Sequence, residues 1–275
     1  MSESVRFDRA AAHYDTTRAI SDEGMARTIE LLASELLGRG RALEVGVGTG
    51  LLALPLHEAG VSLAGLDLTS AMMARLVEKA GGTSPFPLIQ GDATRMPFAD
   101  DAFAGAYLRW VLHLISNWRD ALVEVVRVIE PGGVLLVCLG AYDEPSTEIR
   151  RRFTELTGVG TDPIGLTWGE HEVLDVHMGS LGACLRLLPP IPEEDEETLG
   201  EFLDAIEEGR WSWTWNASDE ARREAVRDMR PWVEERFGPL DRVDRTELET
   251  VWRAYDLPAK AEPGPDQPLS CRDRA

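Results

Sequence analysis

A chain of 275 residues, 44% hydrophobic and 28% charged, holds enough apolar material for a full packed core and falls outside the disordered and fibrous classes. Its 28 Lys and Arg stand against 48 Asp and Glu, a formal charge of -20, so its field repels polyanions and anionic lipid surfaces. Neither nucleic acid nor a membrane is expected as a partner. With no apolar signal core near Met1 and no long apolar run, a cytoplasmic location is expected.

In chain order, residues 7–20 read as a mobile arm. Met25, Ile29, Leu32 and Leu36 then mark an amphipathic helix over 23–38, stopped by Gly38-Arg39-Gly40. Short apolar runs at 42–47, 61–66, 87–89, 103–108 and 134–139 read as strands, with helical patterns at 50–60, 69–80 and 119–130 between most of them. This alternation predicts an α/β fold, a doubly wound and mostly parallel seven-stranded sheet with helices on both faces. Residues 183–188 and 246–255 are the last strand candidates.

The expected organisation is an N-terminal arm and helix (1–38), a core (39–190), a helical and aromatic cap insertion (191–240), a final strand (241–257) and a disordered tail (258–275) with four prolines. Within the cap, the acidic run 193–197 is expected to complement the next helix N-terminus. Trp211, Trp213 and Trp215 alternate, so an extended segment would turn all three to one side, to pack the cap or to floor an acceptor pocket. Cys138, Cys184 and Cys271 are widely spaced, the first two read as buried small residues. Neither a disulfide framework nor a metal site is expected, because His57, His171 and His177 also lack companions at ligand spacing.

The chemistry concentrates at Leu43-Glu44-Val45-Gly46-Val47-Gly48-Thr49-Gly50, where a strand turns into a helix and glycines let the backbone approach a ligand closely. A dinucleotide fingerprint needs Gly or Ala at position 51, and Leu51 stands there instead, which weakens a nicotinamide or flavin reading. Asp67 ends the next strand, where a carboxylate can accept from two ribose hydroxyls or simply adjoin the helix that Thr69 or Ser70 caps. Gly91-Asp92-Ala93 follows the third strand, and Arg109-Trp110-Val111-Leu112-His113-Leu114 the fourth, leading to Glu130-Pro131-Gly132-Gly133.

Together these segments resemble class I S-adenosylmethionine-dependent methyltransferases of the small-molecule family, over about residues 7–140. The resemblance implies S-adenosylmethionine as cofactor and a small-molecule acceptor with an O, N or C nucleophile. Gly46, Val47, Gly48 and Gly50 would take the methionine part, with Glu44 near its cationic end. Asp67 would bind the ribose, and Asp92 with Ala93 the adenine edge, Leu68, Met72 and Arg109 completing the cofactor set. The segment Phe7-Asp8-Arg9-Ala10-Ala11-Ala12-His13-Tyr14-Asp15 resembles that family's arm, with Tyr14 and Arg18 in the closing roles.

Methyl transfer from a sulfonium is an in-line displacement that depends chiefly on orientation. If the acceptor must lose a proton, His113 is the residue expected to take it; otherwise it lines the pocket or the core. Rival readings are another adenosyl-cofactor or nucleotide-dependent enzyme on this fold, or a noncatalytic binding protein. The intact Gly46, Gly48, Gly50, Asp67 and Asp92 argue against the last. Oligomeric state is not legible in the sequence.

Overall fold

Strands covered on both faces require apolar side chains in near-continuous runs, successive residues going to opposite sides. The computed structural model, which describes residues 7, 14–17, 21–140, 144–160, 162–167 and 169–260, has this construction. Strands β1 (Arg41–Val45), β2 (Ser62–Asp67), β3 (Leu88–Gln90), β4 (Phe103–Arg109) and β5 (Ile129–Cys138) run parallel. They are followed by β6 (Cys184–Leu187), β7 (Ile191–Thr198), β8 (Val243–Thr250) and β9 (Arg253–Asp256). β9 pairs antiparallel with β5 and β6, giving a seven-stranded sheet of order β3-β2-β1-β4-β5-β9-β6; β7 and β8 pair with each other.

Helices α1 (Tyr14–Thr17) and α2 (Asp22–Leu36) precede β1. α3 (Ala53–Glu58), α4 (Ser70–Lys79) and α5 (Trp118–Val128) alternate with strands, and α6 (Glu144–Thr157) and α7 (His171–Ser180) follow β5. α8 (Leu199–Glu207) and α9 (Asp219–Phe237) lie between β7 and β8. Side-chain alternation feeds two cores. Leu43, Leu135 and Val137 pack with Leu122 and Val125 of α5 and Met178 of α7. Ala42, Val134 and Leu136 pack on the other face with Leu32 and Leu36 of α2, Leu56 of α3 and Leu76 of α4. The sheet is thus sandwiched by helices, as the alternating pattern requires.

A third core lies apart from the sheet, where Ile149 and Phe153 of α6 meet Leu203 and Ile206 of α8 and Val226, Met229 and Val233 of α9. Residues 39–190 were expected to form one core, but α6 belongs to this cap, because Ile149 and Phe153, four apart on one helical stripe, face α8 and α9. The acidic run 193–197 is not a helix cap; its backbone is in β7, and α8 begins instead with a capping box of Thr198 and Glu201. The single final strand expected over 241–257 is two strands, β8 in the ribbon and β9 in the sheet.

The tryptophan run is not extended: Ser212–Thr214 forms a 3-10 turn, which splays the rings. Trp213 meets Phe153 edge-on at 5.4 Å, while Trp215 meets Phe7 at 4.9 Å and donates through Nε1 to the Gly209 carbonyl at 2.8 Å. Of the expected arm, Phe7 and α1 are described, and Arg18 and His13 lie outside the described residues. Of the expected disordered tail, 261–275 lies outside them too, whereas the Pro258 carbonyl accepts from Gly132 N at 3.0 Å and Lys260 Nζ pairs with Asp101 at 3.2 Å. Cys138 is a buried free thiol, Cys184 is half-buried and not the buried small residue expected, and Cys271 lies outside the described residues.

Candidate active site

The turn after β1 reverses over the end of β2, with Gly46 N and Val47 N donating to the Leu66 carbonyl at 2.8 and 3.0 Å. Gly46 and Gly50 occupy left-handed backbone, φ 78° and 77°, where side chains are costly. A Cβ on Gly46 would lie 2.5 Å from Val111 Cγ2, and one on Gly50 2.7 Å from Leu76 Cγ, so both positions also lack space. Asp67, at the end of β2, fixes the turn from the side. Its Oδ2 accepts from Gly48 N at 2.8 Å and its Oδ1 from Thr69 N at 2.7 Å.

Glu44 sits beneath this turn, 5% exposed, and accepts from the Tyr107 hydroxyl at 2.9 Å. The pairing follows from register, because Glu44 and Tyr107 are opposite one another on β1 and β4. Burial, reinforced by the Asp67 charge and only partly offset by Tyr107, pushes the Glu44 carboxyl up to about 8. Burial and the neighbouring Glu44 likewise push the Tyr107 phenol up.

Past β3, Asp92 Oδ1 accepts from Thr94 N at 2.9 Å and Thr94 Oγ1 at 2.8 Å, an Asx-type turn that orients the carboxylate. Past β4, Trp110 takes a positive φ of 56°, an uncommon conformation for a bulky residue, and its N–H donates to the Cys138 carbonyl at 2.9 Å. The Arg109 guanidinium stacks on the Trp110 ring, 3.6 Å from its centroid.

These strand ends surround one cleft of about 680 Å³, including its open mouth. Tyr14, Gly46, Gly48, Asp67, Leu68, Met72, Asp92, Ala93 and Arg109 line it, all named from sequence. Glu44, Val47 and Gly50 are not in the lining; Glu44 is buried beneath the turn, and within it Val47 packs against Gly65. His113 is not in the lining either. It is half-buried in a 3-10 turn, its carbonyl accepting from Gly165 N at 3.1 Å. Trp110, Val111, Leu114 and Ile115 supply the wall where that histidine was expected.

Phe7 also lines the cleft, although the sequence marked it only as part of an arm. Its N–H donates to Thr69 Oγ1 at 3.2 Å, and its ring meets Tyr14 and Trp215 edge-on. Asp15 of α1 accepts from Thr49 Oγ1 and pairs with Lys79 at 3.0 Å, which seats α1 on the glycine turn. No spacing rule brings residues 7, 14 and 215 together.

A mostly parallel sheet with β9 reversed beside β5, and a cleft at the carboxyl ends of β1 to β4, are the Rossmann-like doubly wound architecture with its usual place for a ligand. Residues 43–137 match the family model described as a methyltransferase domain. The chain is 33% identical over 146 residues to the demethylmenaquinone methyltransferase of Mycolicibacterium paratuberculosis, covering 52% of this chain and 60% of that relative. The chain thus spans less than two thirds of this relative's length. Among solved structures, YcgJ of Bacillus subtilis superposes with TM-score 0.57 at 16% identity, over 86% of this chain and 99% of that one. A Haemonchus contortus phosphoethanolamine N-methyltransferase in complex with S-adenosylhomocysteine superposes with TM-score 0.52 at 16% identity, over 92% and 58%. At such identity these structures speak to the fold. Among the described residues no helix is long and apolar enough to cross a membrane.

Proposed function

We propose that this protein transfers the methyl group of S-adenosylmethionine to a small-molecule nucleophile. The single observation that carries the reading is the convergence of Gly46, Gly48, Asp67, Asp92 and Ala93 on one cleft, although they come from three separate strand ends. The glycine turn would receive the methionine part, with Tyr14 and Arg109 bordering it. Asp67 would exchange backbone donors for ribose hydroxyls, and Asp92 with the Ala93 backbone would read the adenine edge. Leu68 and Met72 offer apolar contact to the nucleoside.

When bound, the cofactor supplies an electrophilic methyl on a sulfonium. The protein's own part is to hold the acceptor in line and to exclude water. Phe7, Trp110, Val111, Leu114 and Ile115 form an apolar wall suited to that task. With His113 outside the lining, orientation is the main source of rate and no histidine base is assigned. An apolar wall favours an acceptor with a hydrocarbon body rather than a polymer or a highly charged metabolite. The relative named for demethylmenaquinone is compatible with such an acceptor without fixing its identity.

The test is calorimetric titration of the full chain with S-adenosylhomocysteine. We expect binding by the native protein and about 10²-fold weaker binding by Asp67→Ala, the cost of losing charge-assisted hydrogen bonds in a partly dry site. A folded Asp67→Ala with native affinity would remove the ribose assignment, and absence of binding by the native chain would end the reading.

A further inference from the structure

The connection from β3 to β4, residues 91–102, contains no helix or strand, yet it begins with the pair assigned above to adenine. Its shape is imposed from α5. Glu124 Oε2 accepts from Met96 N at 2.8 Å and Arg127 Nη2 donates to the Met96 carbonyl at 3.2 Å, so two side chains satisfy both backbone groups of one loop residue. Arg127 Nη1 donates to the Phe98 carbonyl at 2.9 Å and to Asp100 Oδ1 at 2.7 Å. Arg127 Nε and Nη2 also donate to Glu124 at 2.8 and 2.9 Å, and Asp101 N donates to the Arg127 carbonyl at 3.1 Å. The planar fork of a guanidinium suits this simultaneous hold on several acceptors.

The clamp reaches the adenine end through packing. Met96 and Ala93 are buried in the same core, and Pro97 Cδ lies 3.4 Å from the place a Cβ on Gly91 would occupy. Arg127 itself does not line the cleft. Pairing with Arg127 holds the Glu124 carboxyl below its ordinary range, so the clamp stays ionised under working conditions.

We propose that Arg127 is a positioning residue which, by holding residues 96–100 against α5, sets the preference of the cleft for adenine over other purines. This rests on the assignment of Asp92 to the exocyclic amine. A carboxylate accepts well from an amine at C6 and meets a carbonyl there lone pair to lone pair, so the discrimination depends steeply on where the loop places Asp92.

The experiment compares S-adenosylhomocysteine with S-inosylhomocysteine, which carries a carbonyl in place of the amine at C6 and a proton on the adjoining N1, by calorimetry on the full chain. The native protein should prefer the adenosyl ligand by on the order of 10²-fold or more. Arg127→Met should reduce that ratio about tenfold, and Arg127→Lys should restore part of it, since one ammonium cannot serve Met96, Phe98 and Glu124 together. A purely structural residue would lower the melting temperature and weaken both ligands alike. A folded Arg127→Met that keeps the native ratio overturns the proposal while leaving the adenine assignment standing. A native protein without preference, or an Asp92→Ala variant that keeps it, overturns the assignment beneath and the proposal with it. If Arg127→Met does not fold, Glu124→Gln, which preserves shape and weakens the clamp, is read by the same two outcomes.

Discussion

At the scale of single residues, Glu44 couples the site to pH. Its folded carboxyl titrates near 8 against an ordinary 4.5, so the protonated form is favoured by folding. The contribution to stability is complete below 4.5 and is lost as pH rises through 8, with a slope of up to about 1.4 kcal/mol per pH unit. Glu44→Gln retains a hydrogen-bonding partner for Tyr107 and has nothing to titrate. Urea unfolding at pH 6 and pH 8 should therefore show a shallower fall for the variant; equal slopes would mean that Glu44 does not titrate in this window. If the ammonium of the cofactor approaches Glu44, binding near pH 7 should also release protons, measured as a buffer-dependent heat. The acidic position before the glycines was legible in the sequence, but its burial against Tyr107 was not, because that pairing is set by register between β1 and β4.

At the scale of elements, the glycine turn and the β4 exit are fitted to each other. Left-handed backbone at Gly46 is crowded by Val111, and Val111 is placed there by the positive φ of Trp110. Gly46→Ala should cost about 1–3 kcal/mol from overpacking and backbone strain, and should weaken S-adenosylhomocysteine binding as well. Native stability in chemical denaturation would show that Val111 can move aside. Gly46, Gly48 and Gly50 were readable because a glycine pattern between strand and helix has few other uses. Trp110 was not, because nothing in its neighbours marks a bulky residue for left-handed backbone. His113 was expected as a base or as a residue of the pocket or core; the turn after β4 carries Val111, Leu114 and Ile115 into the cleft and leaves His113 half-buried outside its lining.

At the scale of the whole molecule, the cap has a core of its own. Phe153, fully buried between α8, α9 and Trp213, is central to it. Phe153→Ala should cost about 3–5 kcal/mol of local stability, visible as lost hydrogen-exchange protection in α6, α8 and α9 while β1, β4 and β5 keep theirs. Equal loss across the sheet would show that cap and core unfold together. Trp215 ties the cap to the arm through Phe7, so under the proposed function the same variant should weaken methyl transfer more than cofactor binding, a difference read by comparing kcat with the dissociation constant.

By itself the sequence determined the parallel sheet, the order of helices and strands through β5, and the three acidic or glycine-rich strand ends that meet in the cleft. Those features are local: periodicity and turn chemistry are written in neighbouring residues and need no knowledge of the rest of the chain. Only the tertiary structure decided that α6 joins the cap, that residues 243–250 leave the sheet to pair with β7, that Phe7 and Trp215 meet, and that Arg127 holds the loop carrying Asp92. Each depends on which apolar face or polar group finds its partner across a long sequence separation, and many partners satisfy the same local pattern until packing selects one.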